Sequence, residues 1–257
     1  MDSQRIEQRA IARYSKMAAT FEASYHQQQT ARDVAFGYGR RRLEAYLYPY
    51  LDAGGKQVLD VGCGTGHYTR ELCRRGFTVS GVDGSPEMVK RARANNPGVE
   101  IRQARVQALP FPDERFDSVI CIEVLRYLPD PVPCILEMAR VLKPGGLCLA
   151  TVVPWLNLNG SWLVNRFDSI LHVPSLSHLR QNFVSSRKLR KHFAAAQFEK
   201  PDIRGLYFGP TSWVMRLAPG LLPGFLRCCE PRDARLAAIP WLADFSNMCL
   251  VAARKRP

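Results

Sequence analysis

Between Gln57 and Val153, short runs rich in Val, Ile and Leu that end in Gly, Asp or Glu alternate with amphipathic stretches. Strands that alternate with helices imply crossover connections, and so a parallel sheet covered on both faces. The pattern predicts strands at Gln57–Val61, Thr78–Asp83, Val99–Arg105, Phe116–Glu123 and Leu147–Val153. It predicts helices at His67–Arg75, Pro86–Asn95 and Pro133–Leu142, the last closed by Lys143-Pro-Gly-Gly146. The near-continuous apolar runs at 118–121 and 147–153 fit strands buried on both faces. Met1–Leu51 reads as mostly helical, without a clean apolar stripe. After Pro154 the rhythm breaks. Residues 154–184 are irregular, and Ser185 or Ser186 caps a helix running to about Ala196. Phe198–Phe208 and Asn247–Arg254 read as two late strands, separated by the Pro- and Leu-rich segment Gly209–Asp244.

The chemistry concentrates where the first strand meets the first helix, in Val58-Leu-Asp-Val-Gly-Cys-Gly-Thr-Gly66. A dinucleotide loop follows G-x-G-x-x-G; here the pattern is G-x-G-x-G, and His67 stands where the last glycine would fall. Such glycines let the chain turn sharply and let a ligand approach the backbone without a Cβ clash. The helix that opens next offers free N–H groups to a phosphate or a carboxylate. The second strand ends at Asp83, and an acid at that tip can accept hydrogen bonds from ribose hydroxyls. Glu123 ends the fourth strand at the same crevice, where it contacts a ligand or caps the next turn.

With these residues in place, the chain resembles the class I S-adenosylmethionine-dependent methyltransferases, closest to the small-molecule branch with the ubiquinone and menaquinone enzymes. Three further stretches carry the likeness: Ala108-Leu-Pro-Phe-Pro-Asp-Glu-Arg-Phe-Asp-Ser-Val119, Glu123-Val-Leu-Arg-Tyr-Leu-Pro-Asp-Pro131 and Arg140-Val-Leu-Lys-Pro-Gly-Gly146. The resemblance implies a Rossmann-like, doubly wound, mostly parallel seven-stranded sheet with an antiparallel last strand. It implies a helical lid over residues 1–51 and a methyltransferase domain over 52–257, with a substrate-side insert near 154–184 and a variable segment near 209–244. It implies S-adenosyl-L-methionine as cofactor. Gly62, Gly64 and Gly66 would cradle the methionine part, and Asp60 would orient the loop or the cofactor amine. Asp83 would hold the ribose, Gly84 and Met88 would line the adenine side, and Glu123 would face the cofactor or the acceptor. His26, in the lid, is the other candidate general base. Relatives carry an acid for the adenine amino group where Arg105 stands here, and arginine cannot accept a hydrogen bond. Adenine recognition is then expected from the Val106 backbone, Gln107 or a shifted loop. Arg105 itself is expected beside the adenine site, a positive charge near a cationic cofactor; the alternatives are that it points away to a surface acid such as Glu100 or Glu114, or that it holds an anionic acceptor.

The chain's 257 residues carry 36 Lys+Arg against 23 Asp+Glu, a net +13. That balance favours an anionic partner. No aromatic-plus-basic module of a recognised RNA-binding type accompanies it, so nucleic acid is not the expected substrate. The basic run Arg187-Lys-Leu-Arg-Lys-His192 offers a face to solvent or to a membrane surface. The eight cysteines include no C-x-x-C pair, so no metal is expected, and they read as free thiols of a reducing, cytoplasmic compartment. No apolar leader is visible at the start and no membrane span within. The expected activity is methyl transfer to a small, apolar acceptor at oxygen: a quinone precursor, polyketide, aromatic metabolite or lipid. The alternatives are an RNA or protein methyltransferase, or a non-catalytic cofactor-binding scaffold.

Overall fold

The computed structural model describes residues 3–21, 30–52, 55–160 and 183–257. Two long helices come first, α1 (Ser3–Phe21) and α2 (Ala31–Asp52). The βα alternation follows: β1 (Gln57–Val61), α3 (His67–Arg74), β2 (Thr78–Asp83), α4 (Pro86–Asn95), β3 (Glu100–Gln103), β4 (Phe116–Cys121), α5 (Val132–Val141) and β5 (Leu142–Pro154). The later part holds β6 (Phe183–Val184), α6 (Ser186–Ala195), β7 (Asp202–Tyr207), α7 (Thr211–Leu217), α8 (Leu222–Ala237) and β8 (Met248–Arg254). The strands form one sheet in the order β3-β2-β1-β4-β5-β8-β7, and short β6 pairs with the end of β5. Neighbours from β3 to β5 are parallel. β8 runs antiparallel to β5 on one side and to β7 on the other. This is the expected mostly parallel sheet with its last strand reversed.

Side chains along a strand alternate between faces, and the core divides accordingly. Leu59, Val61, Val119 and Cys121 point to one side, packed with Ile135 and Met138 of α5 and Phe193 of α6. Val58, Ile120, Leu149 and Leu250 point to the other, packed with Leu72 of α3 and with Leu43, Leu47 and Leu51 of α2. The second half of the N-terminal region is thus core. α1 packs on α4.

The start of the fifth strand needs correction. β5 starts at Leu142, not Leu147, because the turn glycines are themselves paired: Gly145 N–H donates to Lys255 O at 3.0 Å, and Lys255 N–H to Gly146 O at 2.9 Å. The Pro- and Leu-rich segment is largely helical. Asp233 of α8 accepts the Tyr38 hydroxyl at 2.5 Å and the Phe208 N–H at 3.2 Å, which ties α8 to α2 and to the end of β7. All eight cysteines are free. Among the described residues no helix is long and apolar enough to cross a membrane.

Candidate active site

The glycine loop folds back onto the second strand: Gly62 and Cys63 N–H both donate to Val82 O, at 2.7 and 3.0 Å. Gly62, Gly64 and Gly66 have φ of +74°, +55° and +82°. That region costs an L side chain roughly 1–2 kcal/mol. A Cβ on Gly62 would also fall inside the Val124 side chain, and one on Gly66 inside the Asn96 amide. At the tip of β2, Asp83 Oδ2 accepts Gly64 N–H at 3.0 Å and Oδ1 accepts Ser85 N–H at 2.8 Å. The carboxylate therefore fixes the loop and retains acceptor capacity beyond these bonds. Burial raises its pKa, and the backbone N–H groups oppose that rise.

A cavity of about 930 Å³ opens above the carboxyl ends of these strands, the place where open parallel sheets bind ligands. Asp60, Gly62, Gly64, Asp83, Gly84, Met88, Val106 and Glu123 all line it. Gly66 and Gln107 are not among its lining residues. Gly66 caps α3 and donates its N–H to Cys63 O at 2.9 Å; the Gln107 amide donates to Glu7 Oε2 at 3.1 Å. His26 lies outside the described residues. Asp83→Ala is expected to weaken binding of S-adenosylhomocysteine by roughly 1–3 kcal/mol, since buried hydroxyls would lose a charged acceptor. Calorimetric titration checks this; unchanged affinity in a folded variant removes Asp83 from the site.

Asp60 is buried, and the Thr69 hydroxyl donates to its Oδ2 at 2.8 Å. Burial pushes this carboxyl up to about 7, against the Thr69 hydrogen bond and with help from the Asp83 charge. The unfolded chain loses this proton near 3.8 and the folded chain near 7. The native state therefore holds the extra proton in that window, and the group's stabilising contribution is lost as pH rises through it. Asp60→Asn is expected to lessen the fall in Tm between about pH 5 and about pH 8. An equally steep fall in the variant would contradict this.

The far end of the cavity is more crowded than the sequence indicates. Glu123 sits at φ +63°, left-handed for a non-glycine residue, and its N–H donates to Thr151 Oγ1 at 2.7 Å. Its carboxylate is bonded by Arg126. Burial works against the Arg126 charge, yet Glu123 and Tyr127 outweigh it and hold the pKa above its ordinary value. The Arg126 Nε is buried without a partner among the described residues. Tyr14 of α1 donates its hydroxyl to Tyr127 at 2.6 Å, ring edge to face at 5.4 Å. Tyr207, whose hydroxyl burial pushes up to about 12, closes this side. Sequence reasoning assigned no role to Glu7, Tyr14, Arg126, Tyr127 or Tyr207. For α1 a signal existed: Glu7, Ala10, Ile11, Tyr14 and Met17 recur at helical spacing, and all line the cavity.

Arg105 lines the cavity, as expected, but its partner is neither of the two acids named above. Glu100 is taken by Arg102 and Arg115, and Glu114 by Lys255. Arg105 instead grips Glu7, Nη2 to Oε2 at 2.8 Å and Nε to Oε1 at 3.3 Å. Among the described residues no group of three or more His, Cys, Asp or Glu is placed to hold a metal ion.

Comparison with known proteins agrees with this geometry. A methyltransferase-domain family matches residues 59–150. The ubiquinone biosynthesis O-methyltransferase of Klebsiella pneumoniae subsp. pneumoniae is 31% identical over 177 residues, covering 65% of this chain and 72% of that protein. The protein of the same name from Marinobacter nauticus is 26% identical over 243 residues, covering 91% and 99%. A solved S-adenosylmethionine-dependent methyltransferase of Thermotoga maritima shares the fold with a TM-score of 0.62 at 18% identity, covering 95% of this chain and 98% of that one.

Proposed function

This chain belongs to the class I S-adenosylmethionine-dependent methyltransferases, and on that footing we propose that it methylates a hydroxyl oxygen of a small quinone-type phenol. The observation that carries the reading is a single cavity with the glycine loop and Asp83 at one end and the Glu123 carboxylate at the other. Its volume lies at the upper end of the roughly 300–1,000 Å³ common for ligand sites, which suits a cofactor and an acceptor side by side. The residues fit the cofactor. The loop glycines and Asp60 hold the methionine part, Asp83 the ribose hydroxyls, and Gly84, Met88 and Val106 the adenine side. When bound, S-adenosylmethionine supplies an electrophilic methyl group on a positively charged sulfur.

The chain's own contribution is mainly alignment. Held in line, two reactants gain roughly 7–11 kcal/mol from lost translational freedom at best. A phenol with an ordinary pKa near ~10 is a poor nucleophile at neutral pH. Glu123 takes the phenolic proton as the oxygen reacts, and Arg126 holds the carboxylate in place. Phe36, Leu43 and Ile122 line the cavity with apolar surface for the acceptor's body. Similarity to ubiquinone biosynthesis O-methyltransferases supports oxygen as the attacked atom. The exposed Arg187, Lys188 and Lys191 of α6 support contact with an anionic membrane surface, where apolar acceptors partition. The free cysteines support a cytoplasmic setting.

The test is incubation with methyl-labelled cofactor and a panel of catechols, simple phenols and aliphatic amines. Label is expected in aryl methyl ethers. Label in amines alone, or in no phenol, sinks the oxygen-acceptor reading.

A further inference from the structure

The sheet order fixes where each part of a ligand lies. Glu123 follows β4, Asp60 is the penultimate residue of β1, Asp83 ends β2, and Arg105 and Val106 follow β3 at the sheet's edge. A nucleoside with its ribose on Asp83 and its amino-acid tail over the glycine loop must direct its base toward the β3 side. Adenine presents a donor there, the exocyclic amine. A matching acceptor must therefore line that end.

The candidates are few. The Arg105 side chain has only donors. The Gln107 carbonyl oxygen is buried without a partner among the described residues, and Gln107 is not among those that line the cavity. Of the acids that line it, Asp60 and Asp83 belong to the loop and the ribose, and Glu123 and Asp33 lie on other elements. Glu7 remains. It stands on α1, is 9% exposed, and lines the cavity. Its Oε2 accepts Arg105 Nη2 at 2.8 Å and Gln107 Nε2 at 3.1 Å, while among the described residues Oε1 accepts only Arg105 Nε, at 3.3 Å. A carboxylate oxygen offers about two lone-pair positions, so Oε1 keeps one for a ligand. The helix is fixed at this height by neighbouring contacts. Ser15 Oγ lies 2.7 Å from Ser85 Oγ, and Ile11 packs on Gly84.

We propose that Glu7 reads the adenine: Oε1 accepts the exocyclic amine while Arg105 and Gln107 hold the carboxylate on the cavity wall. Arg105 is then a positioning residue acting through Glu7, and the acceptor comes from a helix distant in sequence. The inference rests on the cofactor assignment and is independent of which acceptor is methylated.

Binding of S-adenosylhomocysteine and of S-inosylhomocysteine, in which a carbonyl replaces the amine, decides it by calorimetry. The wild-type protein is expected to prefer the adenine ligand by roughly 10–100-fold, because the carboxylate would face a second acceptor in the inosine ligand. Glu7→Gln keeps the shape and gains a donor, so that preference is expected to collapse to about threefold or less. Its loss should come from weaker adenine binding together with unchanged or tighter inosine binding. If Glu7→Gln is unstable, Glu7→Ala read by the same two titrations is expected to lose the preference too. Equal affinities in the wild type overturn the proposal, as does a variant that keeps the full preference or loses both ligands equally. Failure of the wild type to bind either nucleoside sinks the cofactor assignment itself.

Discussion

Gly64→Val is expected to eliminate cofactor binding in a protein that still folds. Gly64 lies at φ +55°, where a β-branched side chain is most strongly penalised. Its N–H donates to Asp83 Oδ2 at 3.0 Å, so a shift of the loop would also release the ribose-side carboxylate. Backbone strain of roughly 1–2 kcal/mol, added to a side chain projecting where the ligand must touch the main chain, gives an affinity loss on the order of 100-fold or more. The core strands lie below the loop, so the far-ultraviolet circular dichroism should be retained. Titration with S-adenosylhomocysteine reads the effect. Affinity within a few-fold of wild type would reduce this loop to a turn.

Glu123→Gln is expected to lower turnover by roughly 10²–10⁴-fold, the usual range for loss of a general base, with cofactor affinity little changed. The amide still offers Arg126 a carbonyl acceptor, but the half-buried guanidinium loses its counter-charge, so the melting temperature should fall as well. That coupling makes a second readout necessary. If Glu123 takes the phenolic proton, the variant's rate should climb with pH toward the phenol's own pKa near ~10, because ionised acceptor then arises without help. A variant that melts early yet turns over at the wild-type rate would leave Glu123 as a counter-ion for Arg126 and nothing more.

The legible part of this molecule was the part whose signals are local. β1, β2 and α4 fall where period and turn residues put them, because each is bounded by its own Gly, Asp, Ser or Pro. Asp83 and Glu123 stand out in the sequence for the same reason, as acids at the ends of apolar runs, whereas Asp60 draws notice only through the family resemblance. The start of β5 was not legible, since the partners of the Gly145–Gly146 backbone, Arg254 and Lys255, lie far along the chain. The segment 209–244 was obscured by its prolines, of which Pro231 sits inside α8 against helix propensity. That helix is held by Asp233, whose partners Tyr38 and Phe208 lie on other elements. The Glu7–Arg105 pair joins positions with no local relation. A reading of loop residues around Arg105 searches the wrong neighbourhood, because the acid arrives on α1.

β8 is synthesised after the other described strands yet lies in the sheet's interior, between β5 and β7. Until residues 248–254 have left the ribosome, β7 has no neighbour on the main sheet, and the apolar β5 presents a bare edge along Leu147–Val152. Such edges invite pairing with other chains, and transiently exposed apolar surface makes nascent chains prone to aggregate. A premature stop just before Met248 would thus remove a strand that seals two others. Its product should be recovered as insoluble material, even though the glycine loop, Asp83 and Glu123 would all have been translated.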